Sequence, residues 1–311
     1  MTFKAGNAPC SWGTIEGTGT EAARLPYTQM LDELVAAGYQ GTELGDYGFM
    51  PTDAATLRRA LEARALTMLG AYVDVALRDP GALSKGCERV LRVARLLRSV
   101  ADVGDSDWQP HLVLADLHSH DPLRFQNAGR AVPEMSLDDA DMKVFTENAN
   151  EVARVVQKET GLKTVFHHHC AGFVETPAEI NRFLVRNDPE LIGLVFDTGH
   201  YLYGSGGCRP ETVLEGLERF QERIWYVHLK DLEPQLATRA RQEGWDYKTA
   251  IGRGIFCELG RGCVPFEGVT AQLRDYGYKG WITVEQDMLP GLGTPKESAT
   301  RSRDYLRTLG I

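Results

Sequence analysis

The sequence predicts an α/β protein of one domain, a single (β/α)8 barrel, also called a TIM barrel. Three observations carry that prediction. Short apolar, β-rich runs alternate with longer amphipathic segments along the whole chain; eight such pairs can be placed without a linker or a break in composition; and the charged and imidazole side chains that interrupt the later strands all fall at C-terminal ends. A length of 311 residues is within the range of one such barrel with a few loop insertions. The same alternation could form an open doubly wound sheet, but no Gly-rich turn follows the first strand.

In chain order, the first strand is expected over 4–10 and the first helix over 26–37, stopped by Gly38 in a left-handed C-cap. A strand over 41–45, a helix over 53–65, a strand over 66–75 and a long helical region over 79–103, with Leu and Val at three- and four-residue spacing, make the next units. The fourth strand is expected over 111–118 and its helix over 136–160, with Ser136 as N-cap and Gly161 past its end. Strand five covers 163–170, and its helix opens at Thr176-Pro177, a capping residue followed by proline at the first helical position. Strands over 192–198, 224–231 and 280–287 complete the set, with helices after Pro210, near Phe266 and over 294–309. The stretch 232–265 is too long for a βα loop of ~2–6 residues, so it reads as a partly helical insertion over the barrel mouth.

Composition excludes several classes. At 43% hydrophobic and 25% charged, the chain is an ordinary globular one. A net charge of -9 works against a phosphate-backbone footprint, so no nucleic-acid partner is expected. The opening residues lack the apolar core of a signal peptide, and no run of ~20 apolar residues could span a bilayer, which predicts a cytosolic protein with no membrane partner. Six cysteines without C-x-x-C spacing read as reduced, packed thiols.

Strands buried on both faces should be almost continuously apolar, so polar side chains inside them need a reason. Strand five reads Thr164-Val165-Phe166-His167-His168-His169, strand six ends Phe196-Asp197-Thr198-Gly199-His200, strand seven reads Val227-His228-Leu229-Lys230-Asp231, and strand eight Thr283-Val284-Glu285-Gln286-Asp287. C-terminal strand ends are where barrel enzymes assemble their sites. Side chains alternate with period two, so His167 and His169 share a face and His168 takes the other, and His228 groups with Lys230. One imidazole from strand five, Asp197, His228 and Glu285 can then point at a common centre. Two nitrogens and two carboxylates with open positions suit Mn2+, Co2+, Mg2+ or Fe2+ rather than a structural zinc, which prefers thiolates. Each residue alone has an ordinary reading: a hydrogen-bonded core histidine, a turn aspartate in Asp-Thr-Gly, a glutamate paired with a lysine. Four neighbouring strands presenting ligand types at one depth is what favours a metal site. Glu43, and Asp116 or His118, are placed to meet substrate hydroxyls or to be buried groups satisfied by neighbours; Trp12 and Tyr72 would form apolar walls or simply core.

At these residues the chain resembles the sugar isomerase/epimerase superfamily of xylose isomerase-like barrels, and within it the inosose (2-keto-myo-inositol) dehydratases. The likeness is carried by Ala8-Pro9-Cys10-Ser11-Trp12-Gly13, Gly41-Thr42-Glu43-Leu44-Gly45, the segments 166–172, 196–200 and 280–287, His228-Leu229-Lys230-Asp231 and Leu259-Gly260-Arg261-Gly262. The resemblance implies one divalent metal, Mn2+ or Co2+ first and Mg2+, Fe2+ or Zn2+ after, held by Asp197, His228 and Glu285. Where the wider superfamily has glutamate followed two residues on by histidine, this chain has His167 and His169, so the fourth ligand is expected to be His167. Losing that carboxylate removes a candidate base and favours a dehydratase over a two-carboxylate epimerase.

The resemblance also implies a polyhydroxylated ketone as substrate and a homo-oligomer as the assembly. Glu285 and then His169 are the expected bases, and His200 or Lys230 would protonate the departing hydroxyl. The competing enzymes are a keto-sugar isomerase or epimerase and a β-elimination on 3-keto glycosides. An abasic-site endonuclease would need several metals and a basic face, against the acidic balance. A non-catalytic sugar-binding protein would bind the ketone without consuming it.

Overall fold

The structure, a computed structural model, describes residues 3–13, 25–287 and 293–311. Strand β1 (Lys4–Asn7) is shorter than the run 4–10 because Pro9 has no N–H for a ladder; the chain turns instead through a 3-10 helix, Pro9–Trp12, closed by Gly13 at φ 81°. Helix α1 (Tyr27–Ala37) ends at Gly38 with φ 94°, the left-handed stop that the glycine predicts. Strand β2 (Gly41–Thr42) leads to α2 (Ala54–Glu62), capped by Asp53. The third strand, β3, comes in two pieces, Thr67–Met68 and Gly70–Val75, before α3 (Leu83–Ser99) and β4 (His111–Asp116).

Helix α4 (Asp139–Thr160) corrects one expectation. Its cap is Asp138, whose carboxylate accepts from Asp141 N–H, while the Ser136 hydroxyl donates to Glu179 Oε1 at 2.6 Å. That carboxylate belongs to α5 (Pro177–Leu184), a tertiary partner that local spacing does not reveal. Between them runs β5 (Thr164–His167), and Thr176 forms the full capping box of α5 with Glu179. Strand β6 (Ile192–Asp197), α6 (Glu211–Phe220), β7 (Ile224–Leu229), α7 (Phe266–Asp275), β8 (Trp281–Val284) and α8 (Pro295–Thr308) follow.

All the strands above pair in parallel, in the order β2, β1, β8, β7, β6, β5, β4, with the first piece of β3 on β2 and the second on β4. Leu69, between the two pieces, closes the ring: its N–H donates to Thr42 O at 2.8 Å and its carbonyl accepts from His111 N–H at 3.0 Å. The result is a single-domain (β/α)8 barrel. Inside it, Leu69, Trp108, Val113, Val165, Val195, Tyr226 and Trp281 form one apolar cluster, and the larger core lies between the outer strand faces and the helices. Alternation then fixes what stands above that floor: two residues on from Val165, Val195 and Tyr226 come His167, Asp197 and His228.

The pairing of β6 with β7 carries a register shift at Leu194/Val195, after which Val195 faces Tyr226 and Asp197 faces His228. Trp225 is the extra residue. A Cβ on Gly193 would lie 2.1 Å from its ring, so only glycine lets the indole lie there.

The stretch 232–265 contains helices Pro234–Glu243 and Tyr247–Gly252 and a short antiparallel pair, Asp231–Leu232 with Phe256–Cys257. The buried Asp231 carboxylate ties it down by accepting from the N–H groups of Leu232, Gly260, Gly262 and Val264 at 2.8–3.0 Å. All six cysteines are free thiols, and among the described residues no helix is long and apolar enough to cross a membrane.

Candidate metal centre

His167 ends β5, Asp197 ends β6, His228 is the penultimate residue of β7, and Glu285 follows β8. One ligand-type atom from each lies within 4.8 Å of the others. His167 Nε2 is 3.8 Å from Asp197 Oδ2, and His228 Nδ1 is 3.2 Å from Glu285 Oε1. The ordinary and the functional readings of Asp197 both hold, on different oxygens. Oδ1 accepts from His200 N–H at 2.8 Å and caps the helix Thr198–Gly204; Oδ2 is buried without a hydrogen-bond partner among the described residues. A buried carboxylate oxygen left unpaired is costly, and a cation between the four side chains would satisfy it. The donor set, two imidazoles and two carboxylates with no thiolate, fits a divalent ion of the Mn2+, Co2+, Mg2+ or Fe2+ type.

The residues around the four orient them. Glu43 Oε1 lies 2.7 Å from His228 Nε2 and also accepts from the Tyr226 hydroxyl at 2.9 Å. A carboxylate only accepts here, so His228 Nε2 carries a proton and Nδ1 is the nitrogen left for a cation. Without one, His228 is held as imidazolium with its pKa raised to about 10: burial pulls it down, but Glu285 and Glu43 outweigh that. His168, on the outer face, accepts from Asp197 N–H through Nε2 at 3.2 Å and so braces the strand end next door.

Lys230 is buried. Its ammonium lies 3.2 Å from both oxygens of Asp287, 3.3 Å from Glu285 Oε2 and 3.3 Å from His200 Nε2, over the Phe256 ring. Burial alone would lower its pKa, but Asp287, Glu285 and Asp197 together hold it well above the usual lysine value and charged. Beside it three imidazoles form a staircase, His118 to His169 at 4.0 Å and His169 to His200 at 3.9 Å between ring centres. Burial, then mutual repulsion, holds His169 and His200 well below the usual imidazole range, so they are neutral. His169 Nδ1 is 2.7 Å from the Cys170 carbonyl, which can only accept; Nδ1 therefore bears the proton, and Nε2 presents a lone pair 3.4 Å from the Tyr247 hydroxyl.

The structure thus gathers His167, His169, Asp197, His200, His228, Lys230 and Glu285 at one mouth, with Tyr72 and His118 at its edge, where the Tyr72 hydroxyl meets His118 Nδ1 at 2.8 Å. Two expected substrate contacts are located differently. Glu43 is behind His228, and Trp12 is packed in the outer core with its indole N–H donating to Glu33 at 2.9 Å. Asp116 is buried with a pKa raised to about 7 by that burial, and it accepts from backbone N–H groups of Leu117, Phe173 and Leu77, on three different loops. Sequence reasoning missed Asp287 and Tyr247. Asp287 shares the parity of Glu285, a signal that was available; Tyr247 arrives from the insertion, and nothing local announces it.

The chain is similar to known proteins over nearly its whole length. The sequence pattern of the xylose isomerase-like TIM barrel family matches residues 31–309. An inosose dehydratase of Geobacillus kaustophilus (strain HTA426) is 31% identical over 99% of this chain and 94% of its own length. One of Klebsiella pneumoniae subsp. pneumoniae is 30% identical over 98% and 97%. Among solved structures, the 3-keto-D-glucoside 4-epimerase YcjR from E. coli superposes with a TM-score of 0.68 at 16% identity, over 98% of this chain and 99% of its own.

Proposed function

This chain belongs to the xylose isomerase-like TIM barrel family, and on that footing we propose that it is a metal-dependent dehydratase of a cyclic polyhydroxy ketone of the inosose type. The observation that carries the reading is the convergence of His167, Asp197, His228 and Glu285, with ligand atoms inside 4.8 Å of one another. The names and full-length coverage of the inosose dehydratases support the substrate class.

A divalent cation at those four residues would supply Lewis-acid stabilisation for the negative charge that develops on the ketone oxygen when the α-proton leaves. The protein's own groups do the rest. Of the two candidate bases, both oxygens of Glu285 are engaged, one with His228 and one with Lys230. His169 carries its proton on Nδ1, so its Nε2, beside the Tyr247 hydroxyl, has the lone pair to take the α-proton. The Lys230 ammonium, with neutral His200 beside it, gives a proton to the hydroxyl leaving the β-carbon, so the net change is loss of one water and formation of an enol that becomes a dione. Tyr72, His118 and Tyr247 line the same mouth and offer hydroxyl and imidazole partners to the remaining ring hydroxyls. The reading extends to a cytosolic homo-oligomer, the assembly that the family resemblance implies.

The experiment is turnover of scyllo-inosose by protein stripped with chelator and then reloaded with Mn2+ or Co2+. Growth of dione absorbance in the ultraviolet that is lost on stripping and restored on reloading is the expected result. Conversion without absorbance change would replace the reading with an isomerase or epimerase, as in the YcjR likeness. Equal response with and without metal would remove it.

A further inference from the structure

Behind His169 lies a buried ion cluster that the proposed chemistry does not use. Arg124, Glu175 and Glu179 have side chains 1%, 0% and 3% exposed. Arg124 forms a two-pronged pair with Glu179, 2.9 Å on each prong, and its Nε donates to Gly172 O at 2.8 Å. Glu175 stands farther from the guanidinium, at 3.8 Å. Both of its oxygens are engaged by main chain: Oε2 accepts from Ala171 N–H at 2.8 Å and Oε1 from Gly129 N–H at 2.7 Å. A buried carboxylate whose oxygens take amides from two different loops pins those loops to each other.

Both amides lead to the same contact. Ala171 adopts φ 69°, rare for a residue with a Cβ, and this reversal brings the carbonyl of Cys170 back onto His169 Nδ1. Gly129 has φ 74° and lies on the Tyr203 ring, where a Cβ would come within 2.4 Å. Its carbonyl accepts from Arg241 Nε at 3.1 Å, and Arg241 also donates to the carbonyls of Tyr203 and Gly207. Arg241 sits in the insertion helix just before Tyr247, whose hydroxyl meets His169 Nε2. One side of Glu175 therefore fixes the imidazole, and the other anchors the segment that opposes it.

We propose that Glu175 is a positioning residue that sets the tautomer of His169 and its alignment with Tyr247. The catalytic consequence rests on the role given to His169 above; the structural one does not. Glu175→Gln keeps the shape but turns one acceptor into an amino group facing an N–H, so one of the two loops must come loose.

The test uses full-length protein labelled with 15N-histidine, without metal or substrate, the His169 signals being identified by their loss in His169→Gln. The parent should show His169 protonated at Nδ1. In Glu175→Gln that signature should become a mixture of tautomers, and amide exchange at Ala171 or Gly129 should quicken by about tenfold or more. Mn2+ affinity should stay within about twofold, because the ligands hang on strands, while kcat on inosose falls about tenfold with KM little changed.

An unchanged tautomer with parent-like exchange at both amides overturns the proposal, whether or not any ketone is consumed. A parent that never turns over inosose sinks the dehydratase reading and leaves the tautomer and exchange arms to decide this one. If Glu175→Gln does not fold, Arg241→Met cuts the insertion arm alone: faster exchange across Tyr247–Gly252 supports the arrangement, and no change there overturns it.

Discussion

In the metal-free protein a proton occupies the place a cation would take. His228, with a pKa raised to about 10, is imidazolium between Glu43 and Glu285, and Asp197 is raised to about 7 by burial, against Lys230 and with Glu285. Binding a cation must expel the Nδ1 proton of His228 and, below about neutrality, that of Asp197 as well. Affinity for Mn2+ is therefore expected to rise with pH through the neutral range with net proton release, which calorimetry in two buffers of different ionisation enthalpy measures; a pH-independent affinity contradicts the assignment. Glu43→Gln should weaken Mn2+ by about 10–100-fold without touching a ligand, because it removes the group that holds His228 in its binding orientation. At this scale, period-two alternation was enough to place His167 and His169 inward and His168 outward. The role of Glu43 was not legible: its partner lies 185 positions away, across the barrel.

Among the elements, the β6 and β7 pair does most to build the centre, since its register shift sets Asp197 opposite His228. Gly193 permits that shift by leaving room for Trp225. Gly193→Ala is expected to cost about 1–3 kcal/mol by overpacking and to lower Mn2+ affinity as the facing strand ends move apart. Urea denaturation and metal titration check the two effects, and a stable variant with parental metal affinity would show that the shift is immaterial. The strands are legible as runs of apolar residues, but the runs outlast the ladders. Polar side chains such as His169, Lys230 and Asp287 continue the alternation beyond the last ladder residue, so the pattern persists after the pairing stops. The Ser136 cap failed for another reason: Glu179, from the next helix, holds that hydroxyl.

Over the whole molecule, eight local strand-helix units were readable because each carries its own periodicity and stop signals. The closure at Leu69, the Asp231 staple and the approach of Tyr247 were not, since each joins segments that only the finished barrel brings together. The ring is what converts four separate strand ends into one donor set, and that conversion is the claim on which the proposed chemistry depends. Crystals grown or soaked with Mn2+ and measured at an anomalous wavelength test it most directly. The expected result is a single anomalous peak within coordination distance of His167, Asp197, His228 and Glu285; a peak elsewhere, or none with the four side chains drawn apart, would contradict it.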